Sequence, residues 1–220
     1  KWAVIEGNPS LGEYSLNRLH EEYMEWAKDS EKSELSLRTL KDRLAYWKNL
    51  SPAFGHFYPD EVLPEQMLPY FHERSSQSSA KKELKYLSVL FNWGRARGKV
   101  KALNPVTGLT RQMKVKECRD IYVSDSDLEL VYKHASDVVK DALDIAYLTG
   151  QRPADVLKMQ WDHIKDGVLE VRQNKTKKLV RIAIVGELAH VFKKIRSRPV
   201  VGLTILIDPK GNPLNQFGHF

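Results

Sequence analysis

Cysteine is almost absent from this chain: Cys118 is the only one in 220 residues. A single thiol excludes an internal disulfide and any zinc site built from several thiolates. Long apolar runs are missing too. The longest, near residues 200–207, is strand-sized, whereas a membrane-spanning helix needs about 20 apolar residues. No signal peptide is visible, which together with the lack of disulfides fits a reducing, cytoplasmic setting. The chain has no low-complexity tract, no internal repeat and no cluster of metal-ligating residue types, so no metal site is expected. It starts at Lys1 instead of a methionine and reads as a fragment.

Acidic charge is the other shortage. Lysine and arginine number 35 against 28 aspartates and glutamates, giving a net charge of +7 and a pI near 9.3. Such an excess favours polyanionic partners, nucleic acid ahead of an anionic membrane. The imbalance is concentrated: residues 74–119 hold twelve Lys/Arg but only two acids, Glu83 and Glu117. Most charge runs are solvated faces, yet solvated faces usually mix signs. This one is therefore read as a phosphate-contacting surface. Tyr86, Phe91 and Trp93 sit among aliphatic residues there and are expected in the core, not stacked on bases.

Apolar spacing predicts helices through Leu16, Leu19, Tyr23 and Trp26, and through Leu37, Leu40, Leu44 and Trp47. A third should start near Pro64 and carry Met67, Leu68 and Phe71. The fourth and longest is expected over residues 78–98, capped by Ser78 or Ser79 and closed by Gly98. Asn104-Pro105 and Gly108 then break the periodicity, and residues 112–120 read as an exposed basic linker. Beyond it, Ser124 with Asp127 signals a capped helix start. Another helix passes through Val138, Ala142, Ile145 and Leu148 to Gly150, followed by a short segment at residues 154–158. Residues 159–164, 168–172 and 179–185 read as three short strands, with Asp166-Gly167 as the hairpin turn between the first two. Helical spacing returns at Leu188, Val191, Phe192 and Ile195. The expected fold class is mainly α with a small antiparallel β-sheet (α+β).

The most informative stretch is Leu148-Thr149-Gly150-Gln151-Arg152-Pro153-Ala154-Asp155-Val156-Leu157, followed by Gln173-Asn174-Lys175-Thr176-Lys177-Lys178. Arg152 and Lys175, about two dozen residues apart, suit a phosphodiester substrate. An arginine grips two phosphate oxygens at once, and a lysine holds or donates a proton nearby. Arg152 also lies between a helix-ending Gly150 and Pro153, where a new helix begins and backbone donors can help to bind an anion. Taken singly, each residue has a plainer reading: Arg152 as a surface partner of Asp155, Lys175 as an ordinary hairpin-tip lysine. The whole string shifts the balance. From Tyr147 through the Trp161-Asp162-His163-Ile164 strand, the Asp166-Gly167 turn and the Lys-Thr pair, it resembles the first catalytic box and the lysine hairpin of the tyrosine recombinases, the phage integrase family. Leu37-Arg38-Thr39-Leu40, Gly94-Arg95-Ala96-Arg97-Gly98 and Asn104-Pro105 resemble, in their order, that family's core-binding domain.

The resemblance runs from about Tyr14 to Phe220 and implies an organisation: residues 13–110 a helical core-binding bundle, 111–121 a basic linker, and 122–220 a C-terminally truncated integrase-type catalytic domain. Residues 1–12 are left as an uncertain segment, the tail of an arm-binding domain or a linker from one. It also implies site-specific recombination, with two domains closing as a clamp on double-stranded DNA and four protomers assembling on paired sites. The isolated fragment is free to be monomeric. In that family a tyrosine attacks the phosphate, leaving a 3′-phosphotyrosine and a free 5′ hydroxyl. Bond energy is conserved in the covalent intermediate, so no cofactor is expected. Arg152 would bind the scissile phosphate and stabilise its transition state. Asp155 would orient it, and Lys175 would protonate the leaving 5′ oxygen, worth roughly 10²–10⁴-fold. Further DNA contacts are expected from Arg38, Thr39, Ser79, Lys81, Lys82, Lys85, Lys114, Lys116, Arg119, Lys177 and Lys178.

Two parts of the family site are not in the sequence. The residues three after His163 and His190 are Asp166 and Lys193, so neither makes His-x-x-Arg, and the chain stops one residue after His219. The last tyrosine, Tyr147, precedes the box. The segment 207–214 resembles the loop that leads into the missing part. The expectation is a truncated recombinase of a phage or prophage in a bacterial cytoplasm, which binds DNA but does not cleave it alone. The alternative is a non-catalytic DNA-binding protein that keeps the fold.

Overall fold

The computed structural model describes residues 14–115 and 122–214 and divides the chain into two compact units, Lys1–Asp120 and Ile121–Phe220. The first unit is helical: α1 (Leu16–Lys28), α2 (Leu37–Phe54), α3 (Met67–Glu73) and α4 (Gln77–Ala96). Buried Leu16, Leu19, Tyr23 and Ala27 form one face of α1, and Leu84, Leu87, Leu90 and Phe91 form that of α4, the spacing an amphipathic helix needs. Tyr86, Phe91 and Trp93 are core residues, as expected. α3 follows a single 3-10 turn, Pro64–Gln66, and so starts beside the predicted proline. The cap of α4 is Ser76, whose hydroxyl accepts from the Ser79 amide, in place of the predicted Ser78 or Ser79. The helix begins at Gln77, which puts its cap at Ser76. The described part of the expected exposed linker is partly packed: Leu109–Arg111 forms a 3-10 turn before it, Met113 is fully buried and Val115 packs against the same core. Residues 116–121 of that segment lie outside the described residues.

Glu83 is the polar centre of this unit. It is 1% exposed and accepts from Asn49 Nδ2 (2.8 Å), the Tyr70 hydroxyl (2.7 Å), and Arg74 Nε and Nη2 (3.0 and 2.9 Å). It thereby ties α2, the end of α3 and α4 together. One of the two acids in the basic run therefore points inward, and the exposed charge there is more one-signed than the sequence count suggests.

His20 offers a test of packing. Its ring stacks on Trp47 at 4.4 Å and hydrogen-bonds the Tyr86 hydroxyl at 2.8 Å. Burial, followed by the nearby Lys28 charge, pushes its pKa down from 6.5 to about 4. The unfolded chain binds a proton in this window that the folded chain refuses, so stability is full above pH 6.5 and falls as pH drops toward 4. The loss at the lower end is on the order of 3 kcal/mol. Thermal melts across that window should show the decline in wild type and a flatter profile in His20→Gln; equal slopes would remove His20 as its source.

The second unit contains α5 (Asp125–His134), α6 (Asp137–Thr149), the single turn α7 (Pro153–Val156), strands β1 (Ile164–Lys165), β2 (Val168–Arg172) and β3 (Leu179–Ala183), and α8 (Gly186–Arg196). The sheet is antiparallel in the order β1-β2-β3, with Ile164 opposite Leu169 and Arg172 opposite Leu179. Asp166 and Gly167 both have positive φ, at 51° and 73°, the backbone a tight two-residue hairpin requires. Ser124 and Asp127 make the predicted capping box. The predicted first strand is shorter than expected: Trp161–His163 is a 3-10 turn. Returning chain after α8 holds it there, through Trp161 N–H to the Leu203 carbonyl and Ile205 N–H to the Met159 carbonyl. Ile145 of α6, Leu169 of β2 and Phe192 of α8 meet in one core. Asp141, fully buried on α6, faces Lys194 Nζ at 2.7 Å and Arg198 Nη2 at 2.5 Å, binding α6 to α8. Among the described residues, no helix is long and apolar enough to cross a membrane.

Candidate active-site half and phosphate-contacting cations

Gly150, with φ of +62°, ends α6 in the left-handed conformation that favours glycine, and its amide closes on the Ala146 carbonyl. Two residues later Arg152 is extended (φ −67°, ψ 150°), as the residue before a proline tends to be, and Pro153 opens α7. The chain therefore turns sharply at Arg152 and projects its side chain, 51% exposed, at the junction. α7 is only one turn long, so it offers few backbone donors to an anion, and the guanidinium is the group at this point suited to meet one.

Asp155 does not make the plain surface pair. It is 3% exposed, and its Oδ2 stands 4.0 Å from Arg152 Nη1 with no hydrogen bond. Its Oδ1 accepts the Asn174 backbone N–H at 2.8 Å. That bond crosses from α7 to the turn after β2, where the next residue is Lys175. Two more contacts hold the same turn. Gln173 Nε2 donates to Gln151 Oε1 at 3.0 Å, and Lys158 Nζ donates to Asn174 Oδ1 at 3.1 Å. Sequence reasoning missed Gln151, Lys158, Gln173 and Asn174 in these roles, since ordinary polar residues beside a motif carry no signal of their own. Lys175, Lys177 and Lys178 are all exposed, and Lys177 takes a positive φ of 57° that lets the turn close.

The predicted cations of the first unit differ in their freedom. Lys82 and Lys85 are exposed on α4, and Lys114 is exposed after it. Lys81 is engaged: its ammonium donates to the Met113 carbonyl at 2.7 Å. Arg38, 87% exposed, sits 3.4 Å from Asp42 on α2. Thr39 and Ser79 are bound into their helix starts, Thr39 through Ser36 and Ser79 through Ser76. Lys116 and Arg119 lie outside the described residues. Among the described residues, no group of three or more His, Cys, Asp or Glu is placed to hold a metal ion.

Comparison with known proteins adds to this geometry. No protein-family model matches the chain. The integrase of Enterobacteria phage 434 is 34% identical over 120 residues, which is 54% of this chain and 33% of that protein. The integrase of Escherichia phage HK022 is 34% identical over 113 residues, 50% of this chain and 31% of that protein. About half of the chain is thus similar in sequence to phage integrases. The match spans about a third of the length of these two integrases. The fold agrees along nearly the whole chain. A lambda integrase tetramer bound to a Holliday junction superposes with a TM-score of 0.79 at 20% identity, covering 97% of this chain and 67% of that one. The fold of the chain is thus of the integrase type.

Proposed function

We propose that this chain is the DNA-gripping part and half of the active site of a site-specific tyrosine recombinase. The observation that carries the reading is the buried Asp155 carboxylate, which joins the Arg152 junction to the Lys175 turn and so sets two phosphodiester-directed cations on one framework. The integrase relatives and the exposed cations of α4 support it. In this reading Arg152 binds two non-bridging oxygens of the scissile phosphate and holds the charge that grows on them during attack. A tyrosine outside residues 1–220 forms the phosphorus–oxygen bond to the 3′ side. The bond to the 5′ oxygen breaks, and Lys175 gives that oxygen its proton. Attack by a 5′ hydroxyl on the phosphotyrosine reverses the sequence. Residues 1–220 alone bind double-stranded DNA without cleaving it. Lys82, Lys85, Lys114, Lys177 and Lys178 contact its backbone, and four protomers act on paired sites inside a bacterial cell.

The proton-donor role has a direct test. In the protein expressed from its whole reading frame, Lys175→Ala should slow cleavage of an all-oxygen duplex by about 10²-fold. Replacing the 5′ bridging oxygen by sulfur, a leaving group that needs no proton, should restore the rate. A defect of equal size on both substrates would exclude Lys175 as the general acid.

A further inference from the structure

Lys175 stands at the middle of a six-residue turn, and a lysine there has little to fix where its ammonium goes. The turn is nevertheless organised by Gln173. Its backbone N–H donates to the Lys178 carbonyl and its carbonyl accepts from the Lys177 N–H, both at 2.9 Å. Its side-chain Oε1 accepts from the Thr176 hydroxyl at 2.7 Å, and its Nε2 donates to Gln151 Oε1 at 3.0 Å. Gln151 is itself anchored. It is 9% exposed, its Nε2 donates to the Thr149 carbonyl at 3.2 Å, and the Thr149 hydroxyl donates to the Ile145 carbonyl at 2.5 Å. One N–H of the Gln151 amide is used on the end of α6, and its oxygen faces the turn.

We infer that the Gln151–Gln173 bridge is a positioning pair that sets the Lys175 ammonium against the junction bearing Arg152. The inference rests on Lys175 acting as proton donor. Asp155 holds the same turn by its backbone at Asn174, while the glutamines hold it one residue earlier through side chains. Asn174, held by Asp155 and Lys158, and Gln173, held by Gln151, are two residues on one side of Lys175 tied to the rest of the unit. Together they fix the direction in which the turn leaves the sheet, where Asn174 alone would leave it free to pivot. The bridge is a neutral amide hydrogen bond and a small part of the stability of the fold. Its loss therefore shifts a donor without unfolding the unit, and a misplacement near 1 Å costs up to about 10²-fold in rate.

The test uses the protein from its whole reading frame and the nicked duplex it cleaves. Gln173→Met, which keeps side-chain length but not the bridge, is expected to slow cleavage of the all-oxygen duplex by roughly 10- to 100-fold, with DNA affinity unchanged. The sulfur-substituted duplex should bring it back to the wild-type rate. Gln151→Leu removes the bridge from the other side and should give the same pair of results, which guards against a folding defect peculiar to one variant. Adding Gln173→Met to Lys175→Ala should slow cleavage no further. No slowing in either glutamine variant overturns the inference, and so does a slowing that persists on the sulfur substrate, because displacement of the neighbouring Arg152 would produce it. If Lys175→Ala is rescued by sulfur and the glutamine variants are not, only the positioning role falls. If Lys175→Ala is itself not rescued, the proton-donor reading fails and this inference with it.

Discussion

Arg152→Ala is expected to lower the rate of strand cleavage by about 10³-fold or more while leaving affinity for duplex DNA nearly unchanged. Its guanidinium is half exposed and meets Asp155 only in a long ion pair at 4.0 Å without a hydrogen bond, which leaves donors open to phosphate oxygens. The charge it would stabilise is larger in the transition state than in bound DNA, which is why the loss belongs in the rate and not in the affinity. In the proposed reading binding is spread over many exposed cations, Lys82, Lys85 and Lys114 among them, and removal of one phosphate contact reduces the salt dependence by only about one unit of slope. Arg152→Lys keeps the charge but loses the two-point grip, so an intermediate rate is expected. Single-turnover cleavage and DNA-binding anisotropy at one salt concentration separate the two quantities. Affinity that falls in step with cleavage would make Arg152 a binding residue only.

Glu83→Ala is expected to destabilise the helical unit by about 3–5 kcal/mol, most of what a small domain has to spare. The substitution strips the buried Tyr70 hydroxyl of an acceptor at 2.7 Å, unpairs Asn49, and leaves Arg74, 32% exposed, without its two-point carboxylate partner. Glu83→Gln should cost less, since it keeps one acceptor oxygen but supplies donors where Arg74 and Tyr70 also donate. Urea unfolding of the two variants against wild type gives the comparison. A shift below about 1 kcal/mol in Glu83→Ala would mean that water replaces the network, as at an exposed ion pair.

Local patterns carried much of this architecture in the sequence. The faces of α1 and α4, the capping box at Ser124, the stop at Gly150 and the Asp166-Gly167 hairpin follow from spacing or from one or two residues with special backbone preferences. Features set by distant chain were not legible. The 3-10 turn at Trp161–His163 depends on Leu203, and the engagement of Lys81 depends on Met113. The α4 cap is Ser76, one of several neighbouring serines that local sequence does not tell apart. Within the candidate site, Arg152 and Lys175 stand out in the sequence because their residue types suit a phosphodiester and fit a motif. The framework between them was not, because Asp155 meets Asn174 and Gln151 meets Gln173 across about twenty residues of chain.

The most direct test of the account is to find where DNA becomes attached. The protein from its whole reading frame would be incubated with a pool of nicked duplexes of randomised sequence. Denaturation-resistant adducts would then be digested and the modified peptide identified by mass spectrometry. The account predicts a 3′-phosphotyrosyl peptide from outside residues 1–220, absent in Arg152→Ala. No covalent adduct at all, or attachment within residues 1–220, for example at the exposed Tyr147, would contradict it.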